Sequence, residues 1–317
     1  MKEAVKSVLD QYVTRYSFVP VDTYLKERLK LKKNDKYNDA TKLSEFKSII
    51  VLAIPYPSKT VPWEGKGYGV LSRYSYGIDY HIVFQNILDA IVLELKKLGL
   101  KAKGTVDTGD VDERFAGYLS RLGWFGKNQF LFIDGYGSYS YLATVLVDIP
   151  LDTEYRVIDD CGDCRMCIDA CPSNALENGF DKNLCISEIS QEKKDLSTKE
   201  ISYFKTMIYG CDICQKVCPK NQGIDIHKYP EMEPSGIENI NLAELLQMSN
   251  VEYMKKYGKN ASSWKGASII KRNALALIAN QGLVQLKDEI IKSKESLKEN
   301  IWYNKTADKV LDILERK

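Results

Sequence analysis

"CGDCRMCIDACPSNAL", residues 161–176, sets four cysteines apart by two, two and three residues, with a proline after the last. "GCDICQKVCPKNQ", residues 210–222, repeats the theme. All eight cysteines of the 317-residue chain fall between Cys161 and Cys218. A disulfide framework does not suit a chain of this size without an export signal. Structural zinc sites pair CxxC with a second CxxC or with histidines. Here the run is CxxCxxCxxxCP, and the only two histidines, His81 and His227, lie outside it. That spacing holds [4Fe–4S] clusters.

Two such clusters need eight thiolates, and eight are present. In ferredoxin-type pairs the fourth cysteine of each run ligates the other cluster. One cluster then takes Cys161, Cys164, Cys167 and Cys218. The other takes Cys171, Cys211, Cys214 and, as its last ligand, the isolated Cys185, whose alternative is a buried free thiol.

A two-cluster domain needs far less chain than this. The chain length suggests two or three domains. The formal net charge of +2 does not mark the whole molecule as a polyanion binder. "MKEAVKSVLDQYV" at the N-terminus reads as an amphipathic helix rather than a signal peptide. No apolar run reaches the length of a membrane span, so the expected location is the cytoplasm.

Residues 1–33 read as helical and "FKSIIVLAIPY" (46–56) as a buried strand. Residues 79–98 carry a helical stripe (Val83, Ile87, Ile91, Leu95, Leu98) that stops at Gly99. "KAKGTVDT" reads as a short strand and "DVDERFAGYLSRLG" as a helix. "QFLFID" and "SYSYLATVLVD", joined by "GYGS", read as an antiparallel pair. "STKEISYFKTMIYG" reads as a helical spacer. The chain after Pro234 reads as helical, with an Ala-rich helix closed by Gly282. The expected class is α+β. The expected domains are 1–155, 156–234 (two clusters) and 235–317 (helical tail, HEAT-like).

Five stretches resemble the epoxyqueuosine reductase family. They are "LSRYSYGIDYH" (71–81), "VDTGDVDERFAGYLSRLGWFGKNQFL" (106–131), "CISEISQEKK" (185–194), "GCDICQKVCPKN" (210–221) and "WKGASIIKRNALALIAN" (264–280). The resemblance implies a cobalamin-binding α/β first domain with a mixed or antiparallel sheet and nitroreductase-like relatives. It implies reduction of epoxyqueuosine to queuosine at the wobble base of tRNA, the last step of queuosine synthesis. Cofactors would be cobalamin and two [4Fe–4S] clusters. Partners would be a tRNA anticodon stem-loop and an external low-potential electron donor, with the protein a monomer.

By the same resemblance Asp107 is the proton donor, where the residues alone suggest a helix cap. Arg114 and Lys193 are substrate contacts. Tyr74, Asp107, Lys127, Asn128 and Ser187 line the cobalamin pocket. His81 reads as a structural residue at a helix start. Two departures stand out: Gly109-Asp110 replaces a Pro-containing pair, and the tail is short. From Tyr253 to Asn273 six basic residues (Lys255, Lys256, Lys259, Lys265, Lys271, Arg272) interleave with Tyr253, Tyr257 and Trp264, without an acid. That pattern suits an RNA backbone and unstacked bases. Two other readings share parts of this chemistry: a corrinoid reductase of small molecules, dehalogenase-like, and a ferredoxin-like electron carrier.

Overall fold

A computed structural model describes residues 1–31, 37, 39–154 and 159–316. Its contacts divide the chain into two compact units, each built from three stretches: 1–56, 80–164 and 220–226, and 57–79, 165–219 and 227–317. This differs from three consecutive domains. Residues 57–79 supply the second unit with a strand, and 220–226 return to the first. There Asn221 accepts the Ser138 N–H (2.9 Å) and donates to Ser138 Oγ (2.8 Å). The expected boundary at 155/156 lies outside the described residues.

The first unit is organised by a four-stranded sheet in the order 15–20, 48–55, 140–147, 102–105, with every pairing antiparallel. All eight residues of Ser48–Pro55 are buried. Its unbroken apolar run follows from cover on both faces. On one face Ile49, Val51 and Ala53 pack with Phe115 and Ala116 of helix α5 (Glu113–Leu119) and with Tyr24 of α2 (Val21–Leu31). Residues of the other parity point to the opposite face. There α4 (Tyr80–Lys97) packs on the sheet and on α1 (Lys2–Leu9). Gly99 ends α4 with φ +82°, as its position suggests.

Two expectations are corrected here. Residues 1–31 are not one helical region, because Arg15–Pro20 form an edge strand. Its last residue, Pro20, has no N–H to give, which an edge tolerates. Residues 32–33 lie outside the described residues. Leu131–Ile133 and Ser140–Val147 are not a hairpin pair either. Leu131–Ile133 pairs with Gly123–Phe125, whereas Ser140–Val147 joins the large sheet. "GYGS" does turn the chain, through Ile133 N–H to Gly137 O (2.8 Å), but the strand after it leaves for a distant partner.

In the second unit strand 68–71 lies between 207–209 (parallel) and 239–241 (antiparallel). The expected spacer is a short helix, α8 (Thr198–Tyr203), followed by strand 207–209. Ser197 and Glu200 form a capping box that fixes where α8 begins. The helical tail contains α12 (Ala267–Gln281), α13 (Lys287–Ser296) and α14 (Ile301–Glu315). Helix α12 is buried around almost its whole girth, and Gly282 ends it in the left-handed region. Small alanines at 274, 276 and 279 let its neighbours approach. The described residues thus form a mixed α+β fold, and none of their helices is long and apolar enough to cross a membrane.

Candidate functional site

In the first unit Asp107 sits at the end of strand 102–105, with φ +56°. Asp112, not Asp107, caps α5 by accepting the Phe115 N–H (3.1 Å). Arg28 (3.0 Å) and Tyr24 hold Asp112 in that role. Asp107 is therefore free of capping duty. Its Oδ2 accepts from the Tyr80 hydroxyl and lies 3.2 Å from His81 Nε2, both at the start of α4. Tyr80 is stacked on Tyr141 (4.0 Å) and on His81 (4.2 Å). Glu113 Oε1 accepts the backbone N–H of Asp107 at 2.8 Å. Tyr80, Tyr141, Asp107 and Glu113, with Arg114, Phe130 and Leu142, border a cavity of about 350 Å³. Among the described residues no carboxylate pairs with Arg114.

The two acids are pushed apart. Burial resists ionisation of Asp107, but hydrogen bonds from His81 and Tyr80 outweigh it and hold the carboxyl below its ordinary range. Nearly half of its side chain meets solvent, so the hydrogen bonds decide the direction. Burial first, and then the charge of Asp107, pushes Glu113 up to about 8. A proton donor at Asp107 calls for a raised pKa; of the two acids it is Glu113 that burial and its neighbour shift towards the protonated form. Tyr80 and Glu113 escaped the sequence reading, and His81, read there as a structural residue at a helix start, does stand at the start of α4 but also lies against Asp107, although "DYH" and "DER" both lie inside the family-like stretches.

The Gly109-Asp110 departure has a structural account. A Cβ on Gly109 would come within 2.3 Å of Thr105 Oγ1, so glycine lets the loop fold back tightly. Asp110 is anchored by Lys42 (3.2 Å) and Lys103 (3.1 Å), ion pairs that restrain the loop.

Lys127 and Asn128 lie in the turn between strands 123–125 and 131–133. Asn128 is buried and accepts the Phe130 N–H (3.3 Å). The Lys127 ammonium donates to Gly162 O (2.7 Å) and Cys164 O (2.9 Å), and its backbone N–H reaches Cys161 Sγ (3.4 Å).

In the second unit the short helices at the CxxxCP end of the two cysteine runs are alike. Cys167 lies in α6 (Met166–Asp169) and Cys214 in α9 (Ile213–Lys216). The residues before these helices, Arg165 and Asp212, have φ −124° and −123°. Cys167 packs with Cys171 and Cys214. Cys171, Cys185, Cys211 and Cys214 feel one another's charge. Burial, then the neighbouring sulfurs, raises Cys214 far above its ordinary value, and burial above all pushes Cys211 up to about 12. Without a metal such sulfurs stay protonated; ligation would stabilise their thiolates, which fits a metal cluster.

Tyr74 and Ser187 are half-buried. Tyr74 lies against Tyr209 (6.0 Å), and Ser187 is in α7 (Ile186–Ile189) beside Cys185. Lys193 is exposed and borders a shallow depression with Lys194, Trp264 and Lys265. Trp264 is 64% exposed, and Lys265 Nζ sits 4.3 Å above its ring. The basic run itself is not one RNA-facing surface. Lys271 is buried and donates to Leu246 O and Met248 O. Arg272 is buried and donates to the carbonyls of Ile189, Glu192 and Lys194. Tyr253 and Tyr257 belong to the core. What remains exposed is Lys255, Lys256, Lys259 and Trp264, with Lys265 half-buried beside the tryptophan.

The family model described as "4Fe-4S double cluster binding domain" matches residues 160–221, and that described as "Epoxyqueuosine reductase QueG, DUF1730" matches 38–108. The chain is 38% identical to an epoxyqueuosine reductase of Bacillus anthracis over 75% of its own length and 65% of the relative's. It is 36% identical to that of Bacillus subtilis, over 84% and 76%. A solved epoxyqueuosine reductase with a tRNA-Tyr epoxyqueuosine-modified tRNA stem loop superposes with a TM-score of 0.80 and 29% identity, covering 98% of both chains. The cysteine pattern, the fold and these likenesses agree, and the chain belongs to the epoxyqueuosine reductase family.

Proposed function

We propose that this chain reduces epoxyqueuosine to queuosine in tRNA. The observation that carries the proposal is the Asp107 constellation, a carboxylate with two donors and an adjacent protonated acid, in a chain with a double-cluster domain. The reaction takes up two electrons and two protons; the epoxide C–O bonds break and the oxygen leaves as water. Electrons come from an external low-potential donor through two [4Fe–4S] clusters, one on Cys161, Cys164, Cys167 and Cys218, the other on Cys171, Cys185, Cys211 and Cys214. Bound cobalamin would supply those electrons to the substrate.

The cavity at Asp107 suits such a site. Tyr80, Tyr141, Phe130 and Leu142 give it apolar faces, and Asp107, Glu113 and Arg114 give it a polar edge. Of the residues that the resemblance assigns to cobalamin, Asp107 alone lines this cavity; Asn128 is buried behind its turn and Lys127 binds the first cysteine loop, so within the first unit Asp107 is the residue that would face the cofactor. His81 Nε2 and His227 Nδ1 both face carboxylates.

The chain's own part is the proton. Asp107 Oδ2 hands it to the epoxide oxygen, and Glu113 and His81 replace it. Asp107 thus acts as a relay more than as a standing acid. Arg114, exposed at the same cavity, offers a planar fork to a substrate phosphate. The anticodon stem-loop docks on Lys193, Trp264 and Lys265, with the HEAT-like tail as their support.

The test is anaerobic incubation of the reconstituted protein with reductant, cobalamin and epoxyqueuosine-containing tRNA, followed by nucleoside mass spectrometry. Queuosine should form only with cobalamin present. Unchanged epoxyqueuosine, with both clusters intact and reduced, would overturn the proposal.

A further inference from the structure

"GWFGKN" has a use that its sequence does not disclose. Gly123–Phe125 is a strand, and Gly126–Gln129 is the tight turn that follows it, closed by Gln129 N–H to Gly126 O (2.9 Å). A Cβ on Gly126 would lie 2.5 Å from Phe132 Cε2 and 2.7 Å from Asn128 Oδ1, so only glycine fits there. Asn128, buried behind the turn, ties it down through Phe130. The residue held between them is Lys127. Its three contacts all go to the first cysteine loop: N–H to Cys161 Sγ, and ammonium to the carbonyls of Gly162 and Cys164. That loop is closed on itself by Cys164 N–H to Cys161 O (3.1 Å), and Asp160 Oδ1 accepts the Gly162 N–H (2.7 Å).

We propose that Lys127 is a positioning residue that sets the reduction potential of the cluster ligated by Cys161 and Cys164. The inference rests on the ligand assignment above. Reduction adds one electron to a cluster that its thiolates already make anionic. A hydrogen bond to a ligating sulfur and a cation beside the ligand loop both stabilise the added charge, so both raise the potential. The same ammonium fixes the loop, because it bridges two carbonyls that flank the ligands. Lys127 therefore acts on the cluster through the loop and its field. The other cysteine loop has cations of its own on Asp212, Arg73 Nε (3.2 Å) and Lys216 Nζ (3.0 Å), whereas the contacts of Lys127 go to the first loop alone, so its charge acts on the first cluster.

The experiment is a redox titration of the anaerobically reconstituted protein, followed by electron paramagnetic resonance, on the parent, Lys127→Gln and Lys127→Arg. Gln keeps a donor for the carbonyls and the backbone N–H but removes the charge. With about eight irons per chain, Lys127→Gln should move the midpoint of one cluster to a more negative potential and leave the other alone. Lys127→Arg should return it towards the parent. Unchanged midpoints in Lys127→Gln at full iron content would overturn the inference, as would an equal shift of both clusters. Should Lys127→Gln lose iron, Lys127→Arg carries the test: retention of both clusters there supports the assignment, and loss there as well overturns it. A parent protein holding one cluster only would sink the ligand assignment, and the inference with it.

Discussion

Asp107 has a carboxylate with a hydroxyl and an imidazole on one oxygen, and its backbone N–H is held by a second acid. Asp107→Asn keeps the size and polarity but cannot pass a proton on. Turnover should fall by about 10²–10⁴, while iron content, cobalamin binding and RNA binding stay at parent level; a variant with near-parent turnover would remove Asp107 from the proton path. Glu113 separates the proton's source from its path. Its carboxyl is raised from 4.5 to about 8, by burial first and by Asp107 second. A carboxyl raised on folding binds more protons folded than unfolded between those values. Its stabilising contribution is complete below pH 4.5 and is lost as the pH rises through about 8. The slope cannot exceed about 1.4 kcal/mol per pH unit, and it is smaller here because Glu113 is partly open to solvent. Glu113→Gln keeps an acceptor for the Asp107 N–H and removes the titration. Its melting temperature should vary less than the parent's between pH 5 and pH 8, and its activity should lose the parent's decline above pH 8. Parallel profiles for the two proteins would show that Glu113 does not titrate in this range.

At the scale of the element, α12 decides how its charges are read. Charge is legible in a sequence, and burial around the whole girth of a helix is only hinted at by a run such as "ALALIAN". Lys271 and Arg272 follow that run inward because carbonyls wait for them. For Arg272 those carbonyls belong to residues 189–194, some 80 positions earlier, and no periodicity within α12 could announce them. Arg272 thereby holds the segment that carries Lys193. Arg272→Met should lower unfolding free energy by on the order of 3 kcal/mol, since it leaves buried acceptors unpaired. Lys255→Ala, in the same basic run but exposed, should stay within about 0.5 kcal/mol of the parent. Urea denaturation distinguishes them, and equal values would contradict the burial of Arg272. The same division between local and distant signals explains the rest. The cysteine spacing, the stripe of α4, its stop at Gly99 and the turn at "GYGS" are local and were legible. The partner of strand 140–147 is 48–55, far upstream, and "GYGS" could not name it. Asp107 was singled out through its motif, but the lowering of its pKa depends on Tyr80 and His81, 27 and 26 positions away in the chain, and could not be read there.

For the whole molecule a net charge of +2 means that any hold on RNA is local. With Lys271, Arg272, Tyr253 and Tyr257 in the core, the proposed docking surface is the depression that Lys193, Lys265 and Trp264 border. Cations and a ring contribute to RNA binding in different ways. Each lysine on a phosphate releases counterions, so its removal changes how affinity depends on salt. A stacking ring adds affinity that salt hardly touches. Lys193→Ala with Lys265→Ala should reduce the slope of log affinity against log salt by about 1.4–1.8. Trp264→Ala should weaken binding by about 1–3 kcal/mol with the slope unchanged. It also removes the Nε1 donor to Tyr209 Oη (2.9 Å), so Trp264→His, a smaller ring that retains an N–H, serves as control for that hydrogen bond. Fluorescence anisotropy with an anticodon stem-loop, across a salt series, reads both quantities. A changed slope in Trp264→Ala, or an unchanged one in the double lysine variant, would move the RNA to another face. Lys255, Lys256 and Lys259 would then be tested next, since they are the exposed cations of the run.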